Sequence, residues 1–431
     1  MKYISTKDKQ HKVSFREAVL TGLAPNGGLY MPETITPLSA EFYTNLQSMS
    51  KEAIAMEVLK PFIGDEIDEQ SLLRIVTETL DFDFPVVHLH DNIYTLELFH
   101  GPTLAFKDVG ARFMARCFSY FLGAQERVTI LAATSGDTGS AVGQGFKGIK
   151  GVDVVLLYPK GKISKIQESQ LTTIGGNVVA LKVAGDFDNC QTMVKEAFAD
   201  ESLKEVRPLS SANSINIARL LPQSLYYFFA YQALAKEGKK LVVSIPSGNY
   251  GNLTAGLFAQ RLGLPIHQFI ASTNVNCTVP DYLTTGAYQP RPSLPTISNA
   301  MDVGNPSNFY RMADLFDQDL DAMRQMIKGY TYDDPTTQQT MKEVHEQHHY
   351  LLDPHGAVGY LGLCAFLKDH QEYIGVFLET AHPAKFKEVV DEAVGLDMDI
   401  PEALQEALQG KKQVVEIGAS YRKLRTYLMS E

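Results

Sequence analysis

The sequence predicts an α/β fold in which mainly parallel sheet is covered by helices on both faces. From about residue 93 onward, short apolar runs rich in β-branched residues alternate with helical patterns, and this alternation is typical of parallel strands joined by helices. The runs carry few polar residues, as strands buried on both faces do. Residues 1–92 lack this alternation, and we predict a mostly helical region there.

The individual elements follow from local patterns. Near the amino terminus, SFREAVLTGL has helical periodicity with Ser14 as the expected N-cap. Asp186 is expected to cap a later helix in the same way. Residues 273–310 are rich in Pro, Asn and Thr and predict a long loop, whereas the rest of the C-terminal third is mostly helical in pattern. Buried strands are predicted at 127–133, 152–158, 177–183, 240–246, 265–272 and 373–379.

Composition narrows the class of protein. The chain has 431 residues and a net charge of −11, so no nucleic-acid partner and no anionic membrane surface is expected. No apolar run reaches the length of a membrane span, and MKYISTKDKQHK lacks the apolar core of a signal peptide. The cysteines are too far apart for a disulfide framework or a zinc site, which indicates a soluble cytoplasmic protein. They are Cys117, Cys190, Cys277 and Cys364.

A histidine cluster near the C-terminal third raises the question of a metal. His345, His348 and His349 have helical spacing, but the sequence there is HEQHH and the HExxH motif is missing. No companion ligand is evident, so a polar helix face is predicted and no metal is expected.

Two glycine-rich turns directly follow predicted strands, and ligands of parallel α/β sheets bind at the carboxyl ends of strands. The turn ATSGDTG enters a helix, which favours anion binding by its backbone N–H groups, although a tight capped turn also explains it. The turn SGNYGN has glycines that allow close approach of a ligand and suits a phosphate. The residues are Thr134, Ser135, Gly136, Asp137 and Thr138 in the first turn, and Gly248, Asn249, Tyr250, Gly251 and Asn252 in the second.

A third polar segment, SSANSINIAR, begins a helix that carries an arginine. Asn213, Asn216 and Arg219 are spaced three residues apart, with Ser214 beside the first of them, and so share one helix face. Arginine suits bidentate capture of phosphate or carboxylate. A solvated polar helix start would explain the segment equally well.

Lys107 ends the apolar run TLELFHGPTLAF at the start of a predicted helix. Its stem packing on Leu104 and Phe106, with the ammonium group in solvent, is one explanation. Apolar neighbours and a helix N-terminus, however, lower the pKa of a lysine and favour the neutral amine that an imine-forming lysine requires. Two anion-binding turns and such a lysine in one α/β chain point to pyridoxal 5′-phosphate as cofactor.

The motifs HGPTLAFKD, ATSGDTG and SGNYGN, with the early GLAPNGGLYMPE, together resemble the threonine synthase family of fold type II pyridoxal-phosphate enzymes. The resemblance covers essentially the whole chain and is closest to the longer bacterial and fungal branch. It implies conversion of O-phospho-L-homoserine and water to L-threonine and phosphate. It also implies a fold like that of the tryptophan synthase β chain, with two domains that contain parallel sheet.

The resemblance implies three regions along the chain. Residues 1–92 correspond to an extra, mostly helical N-terminal domain. Residues 93–238 correspond to a smaller α/β domain with the cofactor lysine and the loop for the substrate carboxylate. Residues 239–431 correspond to a larger α/β domain with the cofactor-phosphate loop and a helical C-terminal part.

Several site roles are implied in the same way. Lys107 matches the family's Schiff-base lysine, residues 248–252 match its cofactor-phosphate loop, and residues 134–138 match the loop that receives the substrate carboxylate. The family's N-S-x-N-x-x-R segment contacts the substrate phosphate, and the matching residues are Asn213, Ser214, Asn216 and Arg219.

Two further positions concern the pyridine ring. Asp137 stands where many fold type II relatives have an asparagine that touches the pyridine 3′-oxygen, and an ionised carboxylate there would repel a phenolate unless a proton is shared. Thr380, in FLETAHPAKF, matches the family's partner of the pyridine nitrogen. A strand-end hydroxyl that caps its own turn would also account for Thr380.

Two other functions fit parts of the sequence. One is a serine/threonine dehydratase or another fold type II lyase, and the other is a non-catalytic relative that binds an anionic metabolite. The segment from Asn213 to Arg219 and the GGLYMPE region favour a phosphorylated substrate, and the intact Lys107 motif argues against a non-catalytic protein. The sequence is compatible with a monomer or a homodimer.

Overall fold

The computed structural model describes residues 1–430, and its strands and helices alternate along most of the chain. The strands are β1 (Tyr3–Ser5), β2 (Asp8–Val13), β3 (Tyr30–Pro32), β4 (Val86–His90), β5 (Ile93–Glu97), β6 (Val128–Ala133), β7 (Val152–Pro159), β8 (Val178–Ala184), β9 (Leu209–Ser211), β10 (Lys240–Pro246), β11 (Ile266–Thr273), β12 (Ile327–Thr331), β13 (Tyr373–Glu379) and β14 (Val414–Gly418).

The helices lie between and around these strands. They are α1 (Phe15–Thr21), α2 (Ala40–Asn45), α3 (Lys51–Ile63), α4 (Glu69–Thr79), α5 (Lys107–Phe121), α6 (Asp137–Phe146), α7 (Lys165–Thr172), α8 (Phe187–Ala199), α9 (Glu201–Val206), α10 (Ile217–Leu220), α11 (Leu225–Leu234), α12 (Gly251–Arg261), α13 (Thr278–Thr285), α14 (Phe309–Leu315), α15 (Leu320–Met326), α16 (Asp334–His348), α17 (Pro354–Leu367), α18 (Lys387–Val394), α19 (Glu402–Gln409) and α20 (Tyr421–Ser430).

Within residues 1–430 the strands form three sheets. The largest has the order β12-β11-β10-β13-β5-β4 and is parallel except for the antiparallel β4–β5 pair. The second has the order β14-β8-β7-β6-β9 and is parallel throughout. The interior strands β6 and β10 are almost entirely buried, which explains their mainly apolar sequences. The predicted α/β fold is confirmed.

The amino-terminal region contains more than the predicted helices. The order β2-β1-β3 forms a small antiparallel sheet there. Ser14 caps α1 by accepting a hydrogen bond from the backbone N–H of Glu17 at 3.1 Å, as predicted. The strand β2, DKQHKV, was missed because its side chains are mostly polar and exposed, so it carries no apolar pattern.

The predicted long loop at 273–310 is wrong in part. The helix α13 occupies Thr278–Thr285, and irregular chain runs from there to a short 3-10 turn at Asn299–Met301. Pro280 lies inside the first turns of α13, where a missing N–H costs little, so its presence did not exclude a helix.

The large sheets join segments that are distant in sequence. The strand β5 lies beside β13 in the largest sheet, whereas β14 lies beside β8 in the second. Each sheet therefore takes strands from both sides of the boundary predicted at residue 238, because a parallel neighbour need not be a sequence neighbour. The division into 1–92, 93–238 and 239–431 stays a prediction. Within residues 1–430 no helix is long and apolar enough to cross a membrane.

Candidate active site

A pocket of ≈ 110 Å³ lies where the carboxyl ends of β6, β9, β10 and β13 approach one another. It shares lining residues, among them Asn213, Ser214 and Asn249, with a wider cleft of ≈ 1570 Å³. The pocket brings together nearly all the predicted site residues; Gly136 and Asn216 lie beside it rather than in its lining. The predicted residues in the lining are Lys107, Thr134, Ser135, Asp137, Thr138, Asn213, Ser214, Arg219, Gly248, Asn249, Tyr250, Gly251, Asn252 and Thr380.

Lys107 is the first residue of α5, and the turn before it is tied to the segment that follows β13. The backbone N–H of Phe106 donates to the Thr380 carbonyl at 2.9 Å, and the N–H of His382 donates to the Leu104 carbonyl at 3.0 Å. Leu104 has a φ of 55°, which is unfavourable for a residue with a Cβ atom. These bonds hold that conformation and place Lys107 close to Thr380.

The Lys107 side chain is only 16% exposed, and its Nζ lies 3.6 Å from Oδ2 of Asp137. Burial lowers the pKa of Lys107, and the charges of Lys385 and Arg219 lower it further, whereas Asp137 opposes them. The sequence-based prediction of a lysine with lowered pKa therefore agrees with the structure, although neighbouring cations contribute besides burial.

Asp137, the first residue of α6, is 3% exposed and contacts two lysines. Lys385 Nζ lies 2.8 Å from its Oδ1, and Gln167 Nε2 donates to the same oxygen at 3.0 Å. Burial alone would raise the pKa of Asp137, but Lys385, Lys107 and these hydrogen bonds hold it well below its usual range. The negative charge of Asp137 is thus balanced by Lys385 and Lys107, and the two lysines offset the repulsion between Asp137 and a nearby oxyanion.

The turn from Thr134 to Thr138 is shaped by Thr134 itself. Its Oγ1 accepts hydrogen bonds from the N–H groups of Gly136 at 3.0 Å and Gly139 at 2.8 Å. In the described chain the N–H groups of Ser135, Asp137 and Thr138 have no acceptor, so they are available to an anion. Gly136 has a φ of 130°, a conformation that favours glycine.

The turn at 248–252 leads into α12. Among the described residues, all five backbone N–H groups from Gly248 to Asn252 lack an acceptor, which suits a phosphate at a helix start. A Cβ atom on Gly248 would lie 2.8 Å from the Ala300 carbonyl oxygen, so glycine is needed there. The amide oxygen of Asn249 accepts from the N–H of Ser307 at 3.0 Å, and Asn252 Nδ2 donates to the Pro246 carbonyl at 2.9 Å. Both side chains thus brace the turn.

The segment from Asn213 to Arg219 supplies an unpaired cation. Arg219 is 3% exposed, has no carboxylate partner among the described residues, and keeps Nε without a hydrogen bond. Burial lowers its pKa to about 10. Asn216 is occupied differently, because its Nδ2 donates to the carbonyls of Val19 at 2.9 Å and Ser211 at 3.1 Å.

Arg311 lies behind this segment and was not found from the sequence. It is fully buried and donates to the carbonyls of Tyr30, Ser214 and Ile215 and to Asn308 Oδ1. It thereby joins the amino-terminal sheet to the segment from Asn213 to Arg219. Nothing in the local sequence FYRMADL marks this role, since all partners except Asn308 come from two distant segments.

The segment after β13 contributes two buried groups, Thr380 and Lys385. Thr380 is 6% exposed, and within residues 1–430 its hydroxyl has no hydrogen-bond partner. Lys385, five residues later, is fully buried. The sequence reasoning missed it, although an isolated lysine among apolar residues after a buried strand repeats the signal that identified Lys107.

The donor set of the pocket fits pyridoxal phosphate. Lys107 offers a buried amine for the aldehyde, the N–H groups of residues 248–252 offer a phosphate cradle, and Thr380 offers a hydroxyl in the same lining. A parallel α/β fold with these three groups around one pocket defines a fold type II pyridoxal-phosphate enzyme.

Comparison with known proteins identifies the family. Three family models match: Threonine synthase N terminus over residues 2–80, Pyridoxal-phosphate dependent enzyme over 75–376, and Threonine synthase, C-terminal over 356–428. Threonine synthase of Escherichia coli K12 is 46% identical over 432 residues, with 100% of both chains covered. The chain belongs to the threonine synthase family.

Solved structures agree with this assignment. The crystal structure of threonine synthase from Escherichia coli superposes with a TM-score of 0.94 at 45% identity and covers 100% of both chains. The PLP-bound threonine synthase from Brucella melitensis gives 0.93 at 36% identity and covers 100% of this chain and 99% of that one. The expected family, fold type and cofactor are confirmed.

Proposed function

We propose that this chain converts O-phospho-L-homoserine and water to L-threonine and inorganic phosphate. The observation that carries the proposal is the arrangement of two separate anion sites and the unpaired Arg219 around Lys107. A cofactor phosphate accounts for one anion site. A substrate with both a carboxylate and a phosphate accounts for the remaining donors.

Each donor group is assigned to one part of the ligands. The N–H groups of residues 248–252 bind the cofactor phosphate, since they form the largest set without internal acceptors. The free N–H groups of Ser135, Asp137 and Thr138 bind the substrate carboxylate. Asn213, Ser214 and Arg219 bind the substrate phosphate, and Asn216 holds their segment against α1.

The chemistry that pyridoxal phosphate supplies when bound is withdrawal of electrons from the attached amino acid, which makes its α- and β-hydrogens acidic. Lys107 Nζ, once free of the cofactor, removes the α-proton as a general base and carries protons along the substrate. Arg219 stabilises the phosphate as it leaves the γ-carbon, because negative charge accumulates on the departing phosphate. Water then adds at the β-carbon.

Two groups set the electronic character of the ring. The Thr380 hydroxyl would donate to the pyridine nitrogen of the bound cofactor and keep it unprotonated, which would disfavour side reactions such as transamination. Asp137 would face the 3′-oxygen of the bound cofactor, with Lys385 and Lys107 balancing its charge.

The test is an assay of the purified protein with O-phospho-L-homoserine. We expect equal amounts of phosphate and threonine. A dehydratase would instead release ammonia and a keto acid from threonine, and a non-catalytic protein would yield neither. Either of those results overturns the proposal.

The role of Arg219 has its own measurement. Arg219→Met should reduce kcat/KM for O-phospho-L-homoserine by about 10²-fold, since one charged donor to a developing anion is lost. The visible absorbance of the bound cofactor should stay unchanged. Arg422→Met removes an exposed arginine and serves as the matched control.

We further propose that the enzyme works in the cytoplasm as a monomer or homodimer on this small molecule, without a nucleic-acid partner. All four cysteines are free, which supports a reducing compartment. Sedimentation equilibrium at several protein concentrations separates the two oligomeric states.

A further inference from the structure

The shortest ion pair of Asp137 does not involve Lys107. Lys385 Nζ lies 2.8 Å from Asp137 Oδ1, whereas Lys107 Nζ lies 3.6 Å from Asp137 Oδ2. Lys385 is fully buried, and Asp137 is 3% exposed. A buried lysine close to a reactive lysine carries a high desolvation cost, so its place there calls for a function.

We propose that Lys385 is a positioning residue for the reaction proposed above: it occupies the Asp137 carboxylate and so prevents a close ion pair between Asp137 and Lys107. Lys107 then stays able to lose its proton while the carboxylate remains ionised beside the cofactor. This inference rests on the proposed function for its purpose, but its geometry is independent of the substrate.

A closed set of hydrogen bonds fixes Lys385 in this place. Its Nζ also donates to the Thr103 carbonyl at 2.8 Å, and its own carbonyl accepts from Ser164 Oγ at 3.0 Å. Ser164 caps α7, whose Gln167 side chain accepts from the Ser164 N–H and donates to Asp137 Oδ1. Thr103 and Ser164 therefore hold Lys385, and Gln167 holds Asp137, so the Asp137 carboxylate has little freedom to turn toward Lys107.

The charges around Lys107 explain how the loss of Lys385 would change the protonation of Lys107. From α6 it faces Asp137, from the turn after β13 it faces Lys385, and from α10 it faces Arg219. Removal of Lys385 would leave Asp137 with Lys107 as its only adjacent cation, and their present 3.6 Å contact would shorten to a close ion pair. That pair would favour the protonated amine, because an opposite charge in contact stabilises the charged form.

The simpler explanation is that Lys385 only neutralises a buried carboxylate to stabilise the fold. The two explanations differ in what happens to the Lys107 proton. A purely stabilising lysine would change the melting temperature and leave the protonation midpoint of Lys107 where it is. A positioning lysine would move that midpoint.

The experiment measures how fast cofactor-free protein regains visible absorbance after pyridoxal phosphate is added, from pH 6 to 10. The rate requires the neutral Lys107 amine, so its pH midpoint reports the Lys107 proton. Lys385→Met should move the midpoint upward by about one pH unit, as expected for an opposite charge in contact. Asp137→Asn should move it downward, and Lys385→Arg should leave it near that of the unmodified protein.

The double variant Lys385→Met with Asp137→Asn is the decisive comparison. Both charges are then removed, and the midpoint should return to that of the unmodified protein or below it. An unchanged midpoint in Lys385→Met, or no return in the double variant, overturns the inference. If Lys385→Met does not fold, Lys385→Gln removes the same charge, and the same upward shift of the midpoint is expected.

The inference and the proposed function fail in different measurements. A protein that produces threonine but keeps its midpoint in Lys385→Met has the function without the positioning role. A protein that shifts its midpoint but releases no phosphate from O-phospho-L-homoserine has the positioning role without the function.

Discussion

The chemistry proposed for this enzyme depends on how one amine is kept reactive. Lys107 is nearly buried, and burial together with Lys385 and Arg219 lowers its pKa. The turn before it includes Leu104 in a left-handed conformation and is bonded to the segment after β13. The turn therefore sets the direction of the Lys107 side chain, and its surroundings favour the neutral amine.

Lys107→Ala should remove the lysine-bound absorbance of the cofactor and reduce turnover by at least about 10³-fold, because the general base is lost. Spectra and phosphate release measure these effects. Lys162→Ala, at an exposed position near the site, should retain both colour and activity. Retention of both by the Lys107 variant would contradict its assigned role.

A second residue with an unusual pKa is Glu379, the last residue of β13. Burial raises its pKa well above the usual value, with the charges of Asp353 and Glu97 adding to the effect. Its Oε1 accepts from the Asp353 N–H at 2.7 Å, while Oε2 has no partner in the described chain. The folded state therefore favours the protonated form.

The sign of the pH effect follows. The stabilisation from protonated Glu379 is complete below the unfolded pKa of about 4.3 and is lost as pH rises through the raised folded pKa. At pH 8, Glu379→Gln should therefore be about 1 kcal/mol more stable than the unmodified protein, and it should unfold at a higher temperature. Thermal melts at pH 5 and pH 8 test this. The exposed Glu388→Gln should show no such gain.

Single site residues were predictable where they lie within one short sequence motif. Lys107, the turn at 134–138 and the turn at 248–252 each lie in one short motif directly after an apolar run. Arg311 was missed because its main partners come from segments far away along the chain, whereas Lys385 has a local signal, a lysine soon after a buried strand, that was not followed. Local patterns record composition and periodicity, and they do not record which distant groups meet.

At the level of elements, the strand-to-helix turn from β6 to α6 carries a tight steric requirement. A Cβ atom on Gly136 would lie 2.7 Å from Gln167 Cδ, and its φ is 130°. Any side chain there would displace Gln167, which donates to Asp137. The turn, the α7 cap and the catalytic charges are therefore mechanically linked.

Gly136→Ala should destabilise the protein by about 3 kcal/mol, from backbone strain together with displacement of Gln167. It should also weaken cofactor binding. Gly148→Ala is a matched control, because Gly148 also has positive φ (76°) but has open space around it. This control should cost only about 1 kcal/mol and leave cofactor affinity intact. Equal effects in denaturant titrations of the two variants would refute the steric argument.

Elements were predictable where burial leaves a strong pattern. The strands β6, β7, β8, β10, β11 and β13 were all expected within one or two residues of their bounds, since each is an apolar, β-branched run. The strands β9 and β14 were not, because β9 has three residues and β14 is mostly exposed. Short or exposed strands exist because a neighbour pairs with them, which the local sequence does not record.

For the whole molecule, the pocket lies between two sheets whose buried residues share one hydrophobic core. The turn at 134–138 belongs to one sheet and the turn at 248–252 to the other. A ligand that contacts both turns stabilises both sheets at once. Cofactor binding should therefore stabilise both sheets together.

Removal of pyridoxal phosphate should lower stability by about 2.7 kcal/mol relative to protein with cofactor at one hundred times its dissociation constant. Hydrogen exchange should become faster in both turns, at 134–138 and at 248–252. Faster exchange in only one turn would show that the cofactor does not bridge the sheets. The strand β12 at the far edge of the largest sheet serves as an internal reference.

The position of β14 has a consequence for synthesis on the ribosome. The strand β8 is complete at Ala184, yet its neighbour β14 begins only at Val414, and Leu424 and Leu428 of α20 pack into the same core. During translation the edge of β8 stays unpaired until almost the entire chain has been made. An exposed edge of this kind invites pairing with other nascent chains. The order of strands in one sheet thus makes this enzyme a candidate client of ribosome-associated chaperones.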